Sequence, residues 1–501
     1  MKFSEKWTAA LLLAAGFYLR LQHLFHIHPA AEPFRLGGLF VAFSRQILQA
    51  GFALPHTIPF YSAGGLPFAY PPLAFYLEAS LLALWPRGDF LLANLLPPLL
   101  ACLTLAVFAW GVNRAWPNSP ARQLSALFAC AFLPNAFSNQ IEAAGLAEAL
   151  GSLALAVYFW AVWQFRLRPN TKNALQTGLA LAFCVLSSPG SAIGAAWLTL
   201  LLAGEHLLRE RLRPQAWMRL SVIALSGAAL SAPYWLTVML RFGRGFFLQP
   251  VLAQFAQPSS QSPLQSLLRW SNFVVVADGW TFGWNLVIFL GLAWSLSRRQ
   301  AALPAALLGL MLIPRENVWL MALPAALLFG LGFENLLLPL LSPRPLPRLL
   351  IVLPLAVWAA LLSLGLAQAL EKDQQWRLTA AQAQRMEQAR ALLPEDALIV
   401  VLGNEALMEW APYLLQRETI NTAFGLEWQP AEAEAVNALN ARLEQAHSWR
   451  EIRAALPPLS RPVYILSSEK KRLTALSRGG DFPFTLKFES AEIQLGLLGN
   501  P

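Results

Sequence analysis

The chain reads as an α-helical polytopic membrane protein with a small α/β domain outside the membrane at its carboxyl end. Three observations predict this. Hydrophobic residues make up 56% of the sequence and charged residues only 13%, against roughly a quarter charged in ordinary soluble proteins. Apolar runs long enough to cross a hydrocarbon core of roughly 30 Å recur up to residue 369. From about Glu371 onward charged residues return and the apolar ones become periodic. The net charge of +9 marks topology rather than nucleic-acid binding, because Lys and Arg fall in short clusters between the apolar runs and form no continuous basic stripe.

About eleven spans are predicted, near 7–27, 90–112, 122–138, 147–165, 173–187, 191–206, 220–240, 275–297, 301–314, 317–337 and 349–369. With the amino terminus (Lys2, Lys6) in the cytoplasm, every inward loop is basic: Arg114 and Arg122; Arg166, Arg168 and Lys172; Arg209, Arg211, Arg213 and Arg219; Arg298 and Arg299; Arg344 and Arg348. The short outward loops near 139–146 and 187–190 hold no Lys or Arg, as the positive-inside rule requires. The first run ends in Arg20 and a His-rich stretch without a small-residue cleavage site, so it reads as a span and not a cleaved signal.

Residues 28–89 form the first external loop of a transmembrane domain spanning 1–370. FRLGGLFVAFSRQILQAG (34–51) has helical apolar spacing interrupted by Arg35, Arg45 and Gln46, which predicts a helix lying along the outer membrane surface. YPPLAFYLEASLLALW (70–85) predicts a second helix started by Pro71 and Pro72. It is read as juxtamembrane or partly inserted, since counting it as a span would put the basic clusters outside. An odd number of spans places the domain 371–501 outside, with helices at 378–393, 430–446 and 448–455, buried strands at 397–403 and 462–468, and a closing hairpin at 484–498. Cys102, Cys130 and Cys184 all fall in predicted spans, which excludes structural disulfides in the exported domain and a metal–thiolate cluster.

Candidate chemistry gathers in the outward loops. PFYSAGGLPFAYPPLAFYL (59–77) is aromatic and rich in Gly and Pro, suiting a surface for a lipid-linked or sugar-like ligand. Tyr61, Phe68, Tyr70, Phe75 and Tyr76 there read either as stacking groups or as interface anchors. Glu32 is the only carboxylate between the first span and that segment. Glu142 reads as a second acid or as a solvated loop end; Glu148, about 240° away on a helix, need not share its face. Arg315 and Glu316 form either a phosphate site or a structural pair, and Asp278 reads as a helix cap. His23, His26, His28 and His56 invite a metal reading, yet no HExxH or DxD-like cluster supports it, and no metal ligands are assigned. There is no Walker A loop or dinucleotide fingerprint. In the exported domain Trp410, Tyr413, Trp428 and Glu427 read as acceptor surface or as core.

The GGLPFAYPPL element (64–73), the amphipathic first external loop, the many-span body and the exported domain together resemble the GT-C superfamily of membrane glycosyltransferases. QIEAAGLAEALGSLALA (140–156), PRENVWLMALPAALLFGLG (314–332) and EWAPYLLQRETINTAFGLEW (409–428) resemble segments of a bacterial branch of it. The resemblance implies an inverting enzyme of the plasma membrane that moves a sugar from a polyprenyl-phosphate donor to a glycan, lipid or protein acceptor on the extracytoplasmic face. It implies an acidic residue of the first external loop, here Glu32, as base or acceptor-orienting group, and cationic side chains on the lipid phosphate; beside it Glu142 is read as a second catalytic carboxylate, and Arg315, Arg35, Tyr61 and Tyr70 as substrate-binding. A divalent cation is used by some relatives and not by others. The family usually has Asp, often with a second carboxylate, where this chain has AAEPFR. The alternative is a non-catalytic transporter, or a cell-envelope glycan assembly or export subunit, retaining this fold.

Overall fold

The computed structural model describes residues 3–62, 64–133, 136–209, 213–246, 282–311, 319–341, 377–458, 460–469, 472–473, 476 and 484–499. Helix α1 (Phe3–Leu21) is followed by the first loop, which folds into α2 (Gly38–Gln49), a two-stranded ribbon β1 (Thr57–Ile58) and β2 (Leu66–Pro67), and α3 (Leu73–Leu84). Then come α4 (Asp89–Ala115), α5 (Pro120–Phe132), α6 (Leu146–Leu167), α7 (Thr171–Ser187), α8 (Pro189–Arg209) and α9 (Pro214–Phe242). The bundle closes with α10 (Phe282–Ser297), α11 (Ala302–Met311) and α12 (Ala322–Gly332), which runs on through a π turn at Phe333–Leu337.

Helices lie in the described part of every predicted interval up to residue 337; the interval 349–369 lies outside the described residues. Among the described residues six helical stretches are long and apolar enough to cross a membrane: 5–25, 89–115, 143–167, 189–209, 214–242 and 319–340. The chain is a helical integral membrane protein. Helix α6 packs against α4, α7 and α8, and α12 against α5 and α10. Every residue of α12 is buried, which is why its sequence has no polar face. Small residues let the helix backbones approach: a Cβ on Gly291 of α10 would collide with the Leu328 carbonyl of α12.

In the first loop, one side of helix α2 is enclosed by protein, with Val41, Phe43 and Ile47 all buried. The helix meets α3 through Phe40, Phe43, Phe68 and Phe75, whose rings sit 4.9–6.3 Å apart. Two of its polar residues are satisfied by protein groups: Arg45 grips both oxygens of Asp89 at 2.6 Å, and Ser44 donates to the buried Glu78 carboxyl at 2.5 Å.

The carboxyl-terminal α/β unit contains α13 (Ala380–Arg390), β3 (Leu398–Leu402), α14 (Glu405–Leu415), β4 (Glu418–Thr419), α15 (Pro430–Gln445), α16 (Trp449–Ala455), β5 (Val463–Ser467), β6 (Phe484–Glu489) and β7 (Gln494–Leu498). The strands form one sheet in the order β4-β3-β5-β7-β6, parallel between β4, β3 and β5 and antiparallel beyond. Strand side chains alternate between faces. Ile399 and Val401 join α13 and α14 in one core, while Leu398, Val400 and Leu402 join α15 and α16 in the other. The first core also takes in Val41 of α2, Ala93 of α4 and Ala143. The unit is thus seated on the first loop, the start of α4 and the loop between α5 and α6.

Candidate functional site

The amino end of α2 is the point where three parts of the chain meet. The sequence before it, PFRLGG, offers no Ser, Thr, Asp or Asn at the cap position, so the first amide groups of α2 need an acceptor from elsewhere. Glu409 of α14 supplies it. Its Oε2 accepts from the backbone N–H of Gly37 at 2.9 Å and Gly38 at 2.8 Å, and its Oε1 from Leu39 at 2.9 Å. Burial raises the Glu409 carboxyl above the usual range, opposed by those three donors. Trp410 lies over Gly38 and donates its indole N–H to the Arg35 carbonyl at 3.1 Å. The two glycines are required by this crowding: a side chain on Gly37, whose φ is 155°, would strike Ala143, and one on Gly38 would press on Trp410.

The loop between α5 and α6 is laced onto the same segment. Ala144 donates to the Leu36 carbonyl at 2.7 Å and Ala143 to that of Phe34 at 3.4 Å. Asn94 of α4, fully buried, accepts from the Phe34 N–H at 2.7 Å and donates to the carbonyls of Pro29 and Glu32. Arg35, held at φ 66°, then reaches the Glu142 carboxylate in an ion pair whose members are 14% and 15% exposed. Burial pushes the Glu142 carboxyl up to about 7, with Arg35 working against the rise. A carboxyl poised there exchanges protons near neutrality, and the forked guanidinium beside it can bind a phosphate oxygen pair.

Glu32 sits nearby in sequence but is differently engaged. Its carboxylate accepts from the His28 N–H at 3.1 Å, contacts the Arg377 guanidinium at 3.4 Å, and meets the Ala380 N–H at the start of α13 at 3.4 Å. It joins the first loop to the carboxyl-terminal unit. Tyr61 is buried, with its hydroxyl donating to the Glu409 carbonyl at 3.1 Å. Tyr70 is half-buried, its ring edge-on to Phe40, Phe75 and Trp428 at 5.7–6.2 Å. Trp410 is wholly enclosed, so of the two readings for it the core one holds. Arg315, Glu316 and Asp278 lie outside the described residues. His23 is buried against the Phe34 ring at 4.4 Å while His26 and His28 are exposed. Among the described residues no group of three His, Cys, Asp or Glu is placed to hold a metal.

Sequence reasoning therefore brought together Arg35 and Glu142 only as separate residues, and missed Asn94, Arg377 and Glu409. The uncapped Gly-Gly helix start was the one signal pointing to Glu409; its position gave none.

No protein-family model matches the chain, and no curated protein does. Solved structures do match over its length. ArnT from Cupriavidus metallidurans bound to undecaprenyl phosphate superposes with a TM-score of 0.60 at 13% identity, covering 99% of this chain and 98% of that one. The archaeal oligosaccharyltransferase AglB from Archaeoglobus fulgidus, in complex with an inhibitory peptide and a dolichol-phosphate, gives 0.57 at 14%, covering 100% and 74%. The arabinofuranosyltransferase AftD from Mycobacteria gives 0.56 at 15%, covering 100% and 42%. These neighbours are GT-C superfamily glycosyltransferases, and the chain has the GT-C fold.

Proposed function

We propose that the chain is a membrane glycosyltransferase that moves a sugar from a polyprenyl-phosphate donor to an acceptor on the extracytoplasmic face. The observation that carries this reading is the Arg35–Glu142 pair, set where the first loop and the loop between α5 and α6 meet beneath the α/β unit. It occurs in a fold shared with structures that hold undecaprenyl phosphate or a dolichol-phosphate. The orientation rests on Arg114, Arg122, Arg166, Arg209 and Arg299, which stand at the ends of α4, α5, α6, α8 and α10 away from that pair.

In the proposed reaction the donor phosphate competes with Glu142 for the guanidinium of Arg35 and frees the carboxylate. Glu142 takes the proton of an acceptor hydroxyl, and the oxygen attacks the anomeric carbon from the face opposite the phosphate. The bond from that carbon to the phosphate oxygen breaks with its electron pair, inverting the sugar configuration. The carrier phosphate leaves with an added negative charge, which cationic side chains neutralise. Arg315 is assigned a share of that charge by the resemblance. Glu32 is assigned to positioning, because its carboxylate already serves His28, Arg377 and Ala380.

The test is transfer by purified, lipid-reconstituted protein offered a panel of polyprenyl-phosphate sugars, with product and released carrier read by mass spectrometry. We expect Glu142→Gln to lower kcat by a factor of about 10²–10⁴, the usual worth of a general base, and Glu32→Gln to lower it far less. Full turnover in Glu142→Gln would move the base elsewhere. Carrier binding without turnover on any donor would favour an assembly or export role, and absence of both would end the transferase reading.

A further inference from the structure

A large recess lies at the other end of the bundle from the Arg35–Glu142 pair. Helix α6 joins the two ends: Glu142 precedes its start, Arg166 stands in its last turn, and its 22 residues cover about 33 Å at the α-helical rise. The recess, of about 840 Å³, opens between α5, α6, α8 and the α10–α11 turn. Its walls are leucines and alanines of α8 and α11 with Phe159 and Trp163 of α6, and among the described residues its lining holds Arg122, Arg166, Arg209 and Arg299 against one carboxylate, Glu205.

Among the described residues four guanidinium groups face two carboxylates, Glu205 and Glu334. Glu205 is shared between Arg166 at 2.8 Å and Arg209 at 2.5 Å. Arg122 pairs with Glu334 of the π turn at 2.6 Å and lies 5.2 Å from the Trp116 ring. Arg299, exposed and held at φ 58° by the turn after α10, adds a further cation. An apolar cleft between spanning helices, closed at its water end by an excess of guanidinium groups, matches a molecule with a long hydrocarbon body and a phosphate head.

We infer that this cleft binds an anionic diacyl phospholipid of the leaflet at that end, with acyl chains against α8 and α11 and the phosphodiester among Arg166, Arg209 and Arg299. The site is separate from the proposed transfer centre and does not depend on it. Trp116 and Trp163 at the rim suit the depth of lipid headgroups, where indole rings concentrate.

The experiment is native mass spectrometry of the full-length protein released from nanodiscs containing equal amounts of palmitoyl-oleoyl phosphatidylglycerol and phosphatidylcholine. Retained phosphatidylglycerol should exceed phosphatidylcholine, and the Arg209→Gln/Arg299→Gln variant should lose that preference on the order of tenfold or more, two surface guanidinium contacts being removed. Arg209 is 60% exposed, so this variant leaves the packing in place. Arg385→Gln/Arg442→Gln, on exposed helix faces of the α/β unit, should keep the preference. Equal retention of the two lipids, or a preference that survives in Arg209→Gln/Arg299→Gln, would overturn the inference. So would displacement of the retained phosphatidylglycerol by equimolar undecaprenyl phosphate, which would assign the cleft to the carrier.

Discussion

At the scale of single residues, two buried carboxylates at one junction have opposite duties. Glu142 is pushed up to about 7, so as a base it is protonated and idle at low pH. If it takes the acceptor proton, kcat rises with pH through about 7 and levels above it. A flat profile between pH 5.5 and 8.5 would exclude it. The same shift has a stability consequence of fixed sign. The unfolded carboxyl ionises near its ordinary value of about 4.3, while the folded one keeps its proton to about 7. Between those values the unfolded chain has lost a proton that the folded chain still holds, so this group's contribution falls as pH rises across that window and is constant above it. Glu409, by contrast, has both carboxylate oxygens engaged as acceptors for three amide groups. Glu409→Ala strands those amides and should cost about 2–4 kcal/mol, seen as a lowered midpoint in thermal unfolding; Glu409→Gln, which keeps one acceptor oxygen, should cost less. Nothing about residue 409 itself announced this, since a Glu in an amphipathic helix reads equally as a solvated face.

At the scale of elements, hydropathy was a sufficient guide wherever a helix meets lipid or its own bundle, because length and apolar content are what the bilayer selects. It was not sufficient for α2. Arg45 and Gln46 on an otherwise apolar helix fit an interfacial helix and one enclosed on one side alike, and hydropathy does not name the partner: Asp89 takes Arg45. The strands of the α/β unit were legible from their unbroken apolar runs, as β3 and β5 are buried on both faces. The seating of α14 on α2 was not, because it depends on a contact between elements 370 residues apart. Trp410 is the largest side chain wholly enclosed there. Trp410→Ala should cost about 3–5 kcal/mol and loosen the α/β unit, so that limited proteolysis cuts between residues 377 and 397 faster than in the unaltered protein. Gly37→Ala should give the same proteolytic phenotype from the other side, by displacing the loop between α5 and α6; an unchanged digestion pattern in both would mean that this packing does not hold the unit in place.

At the scale of the whole molecule, the fold was readable as a class and the site only in part. Composition and the basic ends of helices marked a polytopic membrane protein, and the resemblance supplied the GT-C fold that the solved structures share. The junction resisted because it is built from residues 29–39, 94, 142–144 and 409–410, none of which forms a local motif. A chain truncated after residue 376 should therefore retain its bundle helices by circular dichroism but lose donor binding, because α2 is left without its acceptor. That dependence also sets an order of events at synthesis. The bundle helices can enter the membrane as each is made, whereas Leu39 must wait for Glu409. At synthesis rates of about 5–20 residues per second, the delay is roughly 20–70 s. Throughout that interval the amino end of α2 lacks the acceptor that caps it in the folded protein.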